Sequence, residues 1–131
     1  MNVFVLSTGR TGTMSLERAC RHISNYTVSH ESRCNLLGED RLRYPKNHIE
    51  IDNRLSWFLG RLEKVYGDDA IYVHMRRNED QVARSYVTRW NRETSIIRAY
   101  AYGILKRQEH QIDDPMAISK DYAQTVDENI E

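Results

Sequence analysis

The 131-residue chain has only two cysteines, two prolines and two phenylalanines, and it carries no excess charge of either sign. Cys20 and Cys34 are too few to staple a fold together, and no C-x-x-C or mixed His/Cys cluster has metal-ligand spacing, so no metal is expected. Nineteen Lys and Arg side chains balance nineteen Asp and Glu, a formal net charge of zero. Without a global positive field nucleic acid is not an expected partner, and any anion site must be built locally. No apolar run approaches the roughly 20 residues of a bilayer-spanning helix, and the apolar start at Val3–Leu6 is too short for a signal peptide. The sequence therefore reads as cytoplasmic, with no membrane contact. A hydrophobic content of 40% and a mean hydropathy of −0.72 describe one globular domain, residues 1–131, short for a complete nucleotide-dependent transferase.

The opening stretch is what the chain does have. Val3-Phe4-Val5-Leu6-Ser7 is an apolar strand that runs into Thr8-Gly9-Arg10-Thr11-Gly12-Thr13-Met14-Ser15-Leu16, a glycine-punctuated turn followed by a helix pattern. Glycine at two places lets backbone N–H groups approach a ligand, and a helix starting near Thr13 aims its unpaired N–H groups and positive dipole end at the same spot. This predicts a cradle for phosphate or sulfate. It is not a Walker A loop, because Thr13 and Met14 follow Gly12 where that motif needs Lys and Ser or Thr. Arg10 supplies the fixed cation, and Ser7, Thr8, Thr11, Thr13 and Ser15 supply hydroxyls.

Leu16, Ala19, Cys20 and Ile23 give the first helix an apolar face, with Glu17, Arg18 and Arg21 opposite. Tyr26–Ser29 is a short strand that delivers His30, Glu31 and Ser32 at its end. Residues 33–47 read as a loop with a short helix, His48–Asp52 as a strand, and Leu55–Val65 as an amphipathic helix capped by Asp52 or Asn53. Ala70–Met75 is an apolar strand of the kind buried on both faces of a parallel sheet. Asn78 caps the next helix, with Gln81 as the reciprocal partner of a capping box and Val82, Tyr86 and Trp90 facing inward. Ile97, Tyr100, Ala101, Ile104 and Leu105 form another stripe, and Asp114-Pro115 starts a last helix carrying Ile118, Tyr122, Val126 and Ile130. Strand–loop–helix units in series predict an α/β fold, a short parallel sheet flanked by helices in three layers, with the first strand central and a helical C-terminal part. The chain stops at Glu131 within a helical pattern, which points to a domain truncated at its C-terminus.

Arg77 follows the second strong strand, and Ser85 lies two turns into the next helix. The segment Tyr72–Tyr86, with Arg77-Asn78-Glu79-Asp80-Gln81 and Ser85, resembles the 3′-phosphate segment of sulfotransferases that use 3′-phosphoadenosine 5′-phosphosulfate (PAPS), a strand followed by R-N-P-x-D-x-x-x-S. The opening loop, Arg10-Thr11-Gly12-Thr13-Met14, is similar to that family's 5′-phosphosulfate loop, K-[SG]-G-T-[TS] after the first strand. Asp121–Ile130 also looks like the helix that follows the second motif. The chain departs from the pattern with Arg10 for Lys, Glu79 for Pro and Met14 for a hydroxyl residue, and no basic, glycine-containing C-terminal loop precedes Glu131.

The resemblance implies a P-loop-type fold and sulfuryl transfer from PAPS, without metal, to the hydroxyl or amine of a small-molecule or carbohydrate acceptor. It implies that Gly9, Arg10, Thr11, Gly12, Thr13, Met14 and Ser15 hold the 5′ end of the cofactor and that Arg77 and Ser85 hold its 3′-phosphate. Arg10 would also stabilise charge during transfer. Glu31 resembles the base of the heparan-type and bacterial branches, with His30 the alternative; His74, inside an apolar strand, reads as a satisfied core histidine. Acceptor choice falls to residues 33–53 and 91–111. A homo-oligomer is left open. The competing readings are a P-loop phosphotransferase, disfavoured by the missing G-K-[ST], and a nonenzymatic nucleotide- or anion-binding fragment.

Overall fold

The computed structural model describes residues 1–131. Four strands, β1 (Asn2–Leu6), β2 (Thr27–His30), β3 (His48–Ile51) and β4 (Ala70–His74), make one all-parallel sheet in the order β2-β3-β1-β4. The α/β class and the inner position of the first strand are as the sequence predicts. β1 is apolar on both sides, and Phe4, Val5 and Leu6 are all buried, each worth about 1.5–3 kcal/mol relative to exposure.

A parallel sheet needs cover on both faces. Helix α1 (Thr13–Cys20) covers one, setting Leu16 and Cys20 against Val5, Ile49 and Ile51. Phe4 and Leu6 point to the other, where Leu42, Leu55 and Leu62 meet them from two 3₁₀ turns (Gly38–Leu42 and Asn53–Trp57) and from α2 (Leu59–Val65). A third apolar cluster joins α3 (Glu79–Thr88), α4 (Ile96–Arg98) and α5 (Pro115–Ile130) through Val82, Tyr86, Ile97, Tyr100, Tyr122 and Val126. Caps start these helices where expected. Asn78 Oδ1 accepts from the N–H groups of Asp80 and Gln81 at 3.0 and 3.2 Å, and Asp114 Oδ1 accepts from Ala117 N–H at 3.0 Å.

Several expectations fail for identifiable reasons. The run Ala70–Met75 is an edge strand, and Ile71, Tyr72 and Val73 are each about two-fifths or more exposed. Ile71 and Val73 share the face of Val3 and Val5, but α1 packs over β2 and β3 and stops short of β4. The helix expected over 55–65 is interrupted at Phe58 (φ −122°), whose ring lies 5.0 Å from the Arg41 guanidinium and 5.7 Å from that of Arg61. Helix α1 ends at Cys20, leaving Ile23 exposed, and Glu17 is buried because Arg21 one turn on covers its carboxylate. Gln81 makes no capping box; its Oε1 accepts from Arg77 Nε at 3.3 Å. Ile104 is exposed because residues 99–104 form a π-helix, whose wider turn rotates it off the apolar stripe.

Candidate functional site

The turn after β1 owes its shape to left-handed backbone at Gly9 (φ 79°), Arg10 (φ 57°) and Gly12 (φ 90°). Glycine is required at the first of these: a Cβ at Gly9 would overlap the Tyr86 hydroxyl and stand 3.0 Å from Asn53 Nδ2. The turn is tied down from below. Ser7 Oγ accepts from Gly9 N–H at 3.0 Å, Ser56 Oγ donates to Ser7 O at 3.1 Å, and Thr8 O accepts from two phenols, Tyr86 at 2.5 Å and Tyr122 at 2.7 Å. Burial pushes the Tyr86 hydroxyl up to about 12 and raises that of Tyr122 well above the ordinary value, so both stay protonated donors at neutral pH. Sequence periodicity marks these tyrosines as core residues, which they are; nothing in it signals that their hydroxyls anchor the loop.

With its underside fixed, the loop leaves its own donors free. The backbone N–H groups from Arg10 to Ser15 find no protein acceptor, and α1 has no side-chain cap at Gly12. Thr11 Oγ1 is buried and makes no hydrogen bond. Unpaired N–H groups, a helix start and an orphaned buried hydroxyl are the parts of an oxyanion cradle. They suit a phosphate or sulfate group.

The second predicted segment meets this loop directly. Arg10 Nε donates to Ser85 Oγ at 2.8 Å, and Arg77 Nη1 donates to Arg10 O at 2.9 Å. Ser85 accepts in its bond with Arg10 and keeps its own proton for another partner. Gln81 Oε1, an uncharged acceptor, takes the Arg77 Nε–H, so the Arg77 charge has no carboxylate partner. Arg76 instead pairs with Glu131 at 3.0 Å, and Arg84 is exposed.

On its other side the loop borders a cleft of about 370 Å³. Gly9, Arg10, Thr13, Met14, His30 and Glu31 line it; Thr11, Gly12, Ser15, Arg77 and Ser85 do not. Met14 is half exposed at this surface, and Ser15 points to solvent from α1. His30 Nε2 lies 3.3 Å from Thr13 Oγ1. Glu31 follows β2 in a left-handed conformation (φ 49°) that only four non-glycine residues of the chain share, Arg10 among them. Such backbone costs energy for a residue with a Cβ and persists where the surroundings enforce it. Here the enforcement is visible. Glu31 N–H donates to Ile51 O at 3.0 Å, and the next residue, Ser32, donates from its N–H and Oγ to the fully buried Glu50, itself paired with His48 Nε2 at 2.8 Å. Glu31 Oε1 accepts from Arg54 Nη1 at 3.0 Å, which leaves Oε2 without a partner. His74, off this site, pairs with Asp127 at 2.9 Å.

Sequence reasoning missed Arg54 and Arg89; Asn53, Arg92, Thr94, Ser95 and Ile96, which complete the cleft with them, lie within the stretches 33–53 and 91–111 expected to choose the acceptor, but no pattern singles them out. The arginines sit in stretches of mixed charge that look like solvated surface, and only the chain's path brings them to the loop. Burial first, then the positive charge of Arg89, with Arg92 and Arg77 adding to it, pulls the Arg10 guanidinium below its ordinary value, against Tyr86. No group of three or more His, Cys, Asp or Glu side chains is disposed to hold a metal ion, and no helix is long and apolar enough to cross a membrane. The chain matches no protein-family model, no curated protein and no solved structure.

Proposed function

We propose that the chain is a sulfotransferase-like P-loop domain that binds PAPS and directs its sulfuryl group to an acceptor hydroxyl or amine. The observation that carries this reading is the junction of the two resembling segments: Ser85 and Arg77, far from Arg10 in sequence, hold its side chain and its carbonyl at 2.8 and 2.9 Å. β4 pairs in parallel with β1, which sets the segment leaving β4 beside the loop leaving β1, and the two side chains of that segment that reach the loop are the Arg and Ser of the resembling pattern.

When bound, PAPS supplies a sulfuryl group that exchanges its bond to the bridging phosphate oxygen for one to the acceptor oxygen or nitrogen. The free N–H groups from Arg10 to Ser15 and the orphaned Thr11 hydroxyl hold the 5′ end. Arg10, whose terminal guanidinium nitrogens are uncommitted, adds a planar fork of donors at the loop. Arg77 and the free Ser85 proton take the 3′-phosphate. Glu31, oriented by Arg54, accepts the acceptor's proton at Oε2.

Calorimetric titration with 3′-phosphoadenosine 5′-phosphate, with ATP plus Mg²⁺ and with sulfate separates this reading from its rivals. Saturable binding of the bisphosphate without metal is expected. Preference for ATP with Mg²⁺ would make the protein a phosphotransferase, and binding of sulfate alone would make it a simple anion holder. Glu31→Gln is expected to lower transfer by about 10²–10⁴-fold with bisphosphate affinity intact; undiminished turnover would shift the proton to His30.

A further inference from the structure

The cleft beside the loop holds more positive charge than the cofactor's 5′ end accounts for. Four guanidinium groups line it, those of Arg10, Arg54, Arg89 and Arg92, against one carboxylate, Glu31. Glu31 is spent on Arg54, whose Nη2 also donates to Thr94 O at 2.8 Å. Arg89 and Arg92 share one turn, with Arg92 N–H donating to Arg89 O at 3.0 Å. Neither side chain has an acceptor or an ion-pair partner, and both repel Arg10 closely enough to perturb it. The chain as a whole is neutral, so this concentration is local.

Uncompensated like charges gathered in one concave site raise its free energy and are relieved by an anion. Arg77 and Ser85 approach the loop from the α3 side and lie outside the cleft, whereas Arg89 and Arg92 line the same space as Glu31 and His30, where the acceptor's proton must leave. We propose that the acceptor is itself anionic, a hydroxyl compound of about the size of a sugar unit whose own sulfate, phosphate or carboxylate is held by Arg89 and Arg92. The inference rests on the sulfotransferase reading, since that reading makes this the acceptor's side of the loop. A guanidinium pair offers planar, charge-assisted hydrogen bonds to any of the three oxyanions, and a cleft of about 370 Å³ accommodates a monosaccharide with such a group.

The test is a calorimetric titration of the protein saturated with 3′-phosphoadenosine 5′-phosphate, using glucose, glucose 6-sulfate, glucose 6-phosphate and glucuronate. At least one anionic sugar is expected to bind at least about tenfold more tightly than glucose, and the ranking of the three identifies the oxyanion. In Arg89→Gln/Arg92→Gln that preference disappears while the protein is still saturated by the bisphosphate; Arg89→Lys/Arg92→Lys retains part of the preference. Equal or absent binding of all four sugars, or a preference that survives the double Gln variant, overturns the inference. Failure of the bisphosphate to bind is a separate result: it removes the sulfotransferase reading, and an Arg-dependent preference found in the cofactor-free protein would then leave an anion site without that chemistry.

Discussion

Gly9→Ala is expected to lower the unfolding free energy by about 2–5 kcal/mol and to remove anion binding at the loop. The backbone at φ 79° alone costs an L-residue about 1–2 kcal/mol, and forcing a methyl group into a packed site adds about 1–3 kcal/mol. The group in the way is the Tyr86 hydroxyl, bonded to Thr8 O in the same turn. Moving it releases one of the two phenols that fix the loop. Gly60→Ala is the control: nothing lies within 4 Å of the place a methyl group would take on this helical glycine, so the substitution is expected to be neutral or to stabilise by about 0.5–1 kcal/mol. Chemical unfolding with sulfate or nucleotide titration checks both. A Gly9→Ala protein of unchanged stability would mean that the loop is not held as tightly as its hydrogen bonds imply.

Arg41→Met is expected to be the most damaging substitution away from the loop, at about 3–5 kcal/mol. Arg41 and Asp52 are 1% and 0% exposed and pair at 2.8 Å, with Arg41 also donating to Tyr44 at 3.0 Å. Burial raises the Asp52 carboxyl above its ordinary value even against the pull of Arg41, so loss of the guanidinium leaves that burial cost unopposed. Asp52 Oδ1 accepts from Arg54 N–H and so starts the 3₁₀ turn that bears Arg54, the partner of Glu31. An acid whose folded value lies above its unfolded one binds more protons folded than unfolded in the interval between them, so stability falls as pH rises through it. Arg41→Met should therefore lose more stability at pH 7 than at pH 5, as thermal unfolding at the two values would show. A small loss independent of pH would contradict a buried ionic pair.

Much of this arrangement is legible in the residue order because it is local. The strand Val3–Leu6, the glycines at 9 and 12 and the caps at Asn78 and Asp114 each act within a few residues, and each is found where the pattern puts it. What escaped depends on chain segments far apart. An apolar run such as Ala70–Met75 has the same pattern at the centre or the edge of a sheet, and only the strand order makes β4 an edge. A tyrosine on an apolar helical stripe reads as core whether or not its hydroxyl reaches Thr8 O 78 or 114 residues away. Arg54 reaches the loop from the 3₁₀ turn after β3, and Arg89 and Arg92 reach it through the packing of α3 against α5 and the path after α3, a convergence that no spacing in the sequence encodes. The candidate site was thus readable at its loop and unreadable at its walls.

Whether the loop and the Arg77–Ser85 segment form one nucleotide site is decided by a difference in ligand affinities. Wild type, Arg77→Ala and Ser85→Ala are titrated with 3′-phosphoadenosine 5′-phosphate and with adenosine 5′-phosphosulfate, which lacks the 3′-phosphate. Each substitution is expected to weaken the bisphosphate by about tenfold or more and the ligand without a 3′-phosphate much less, because a lost charge-assisted or hydroxyl contact is worth about 1–3 kcal/mol only to the group it touched. Equal losses for the two ligands would mean that Arg77 and Ser85 act only by holding Arg10 and would contradict their contact with the 3′-phosphate, and no binding of the bisphosphate by wild type would contradict the nucleotide site.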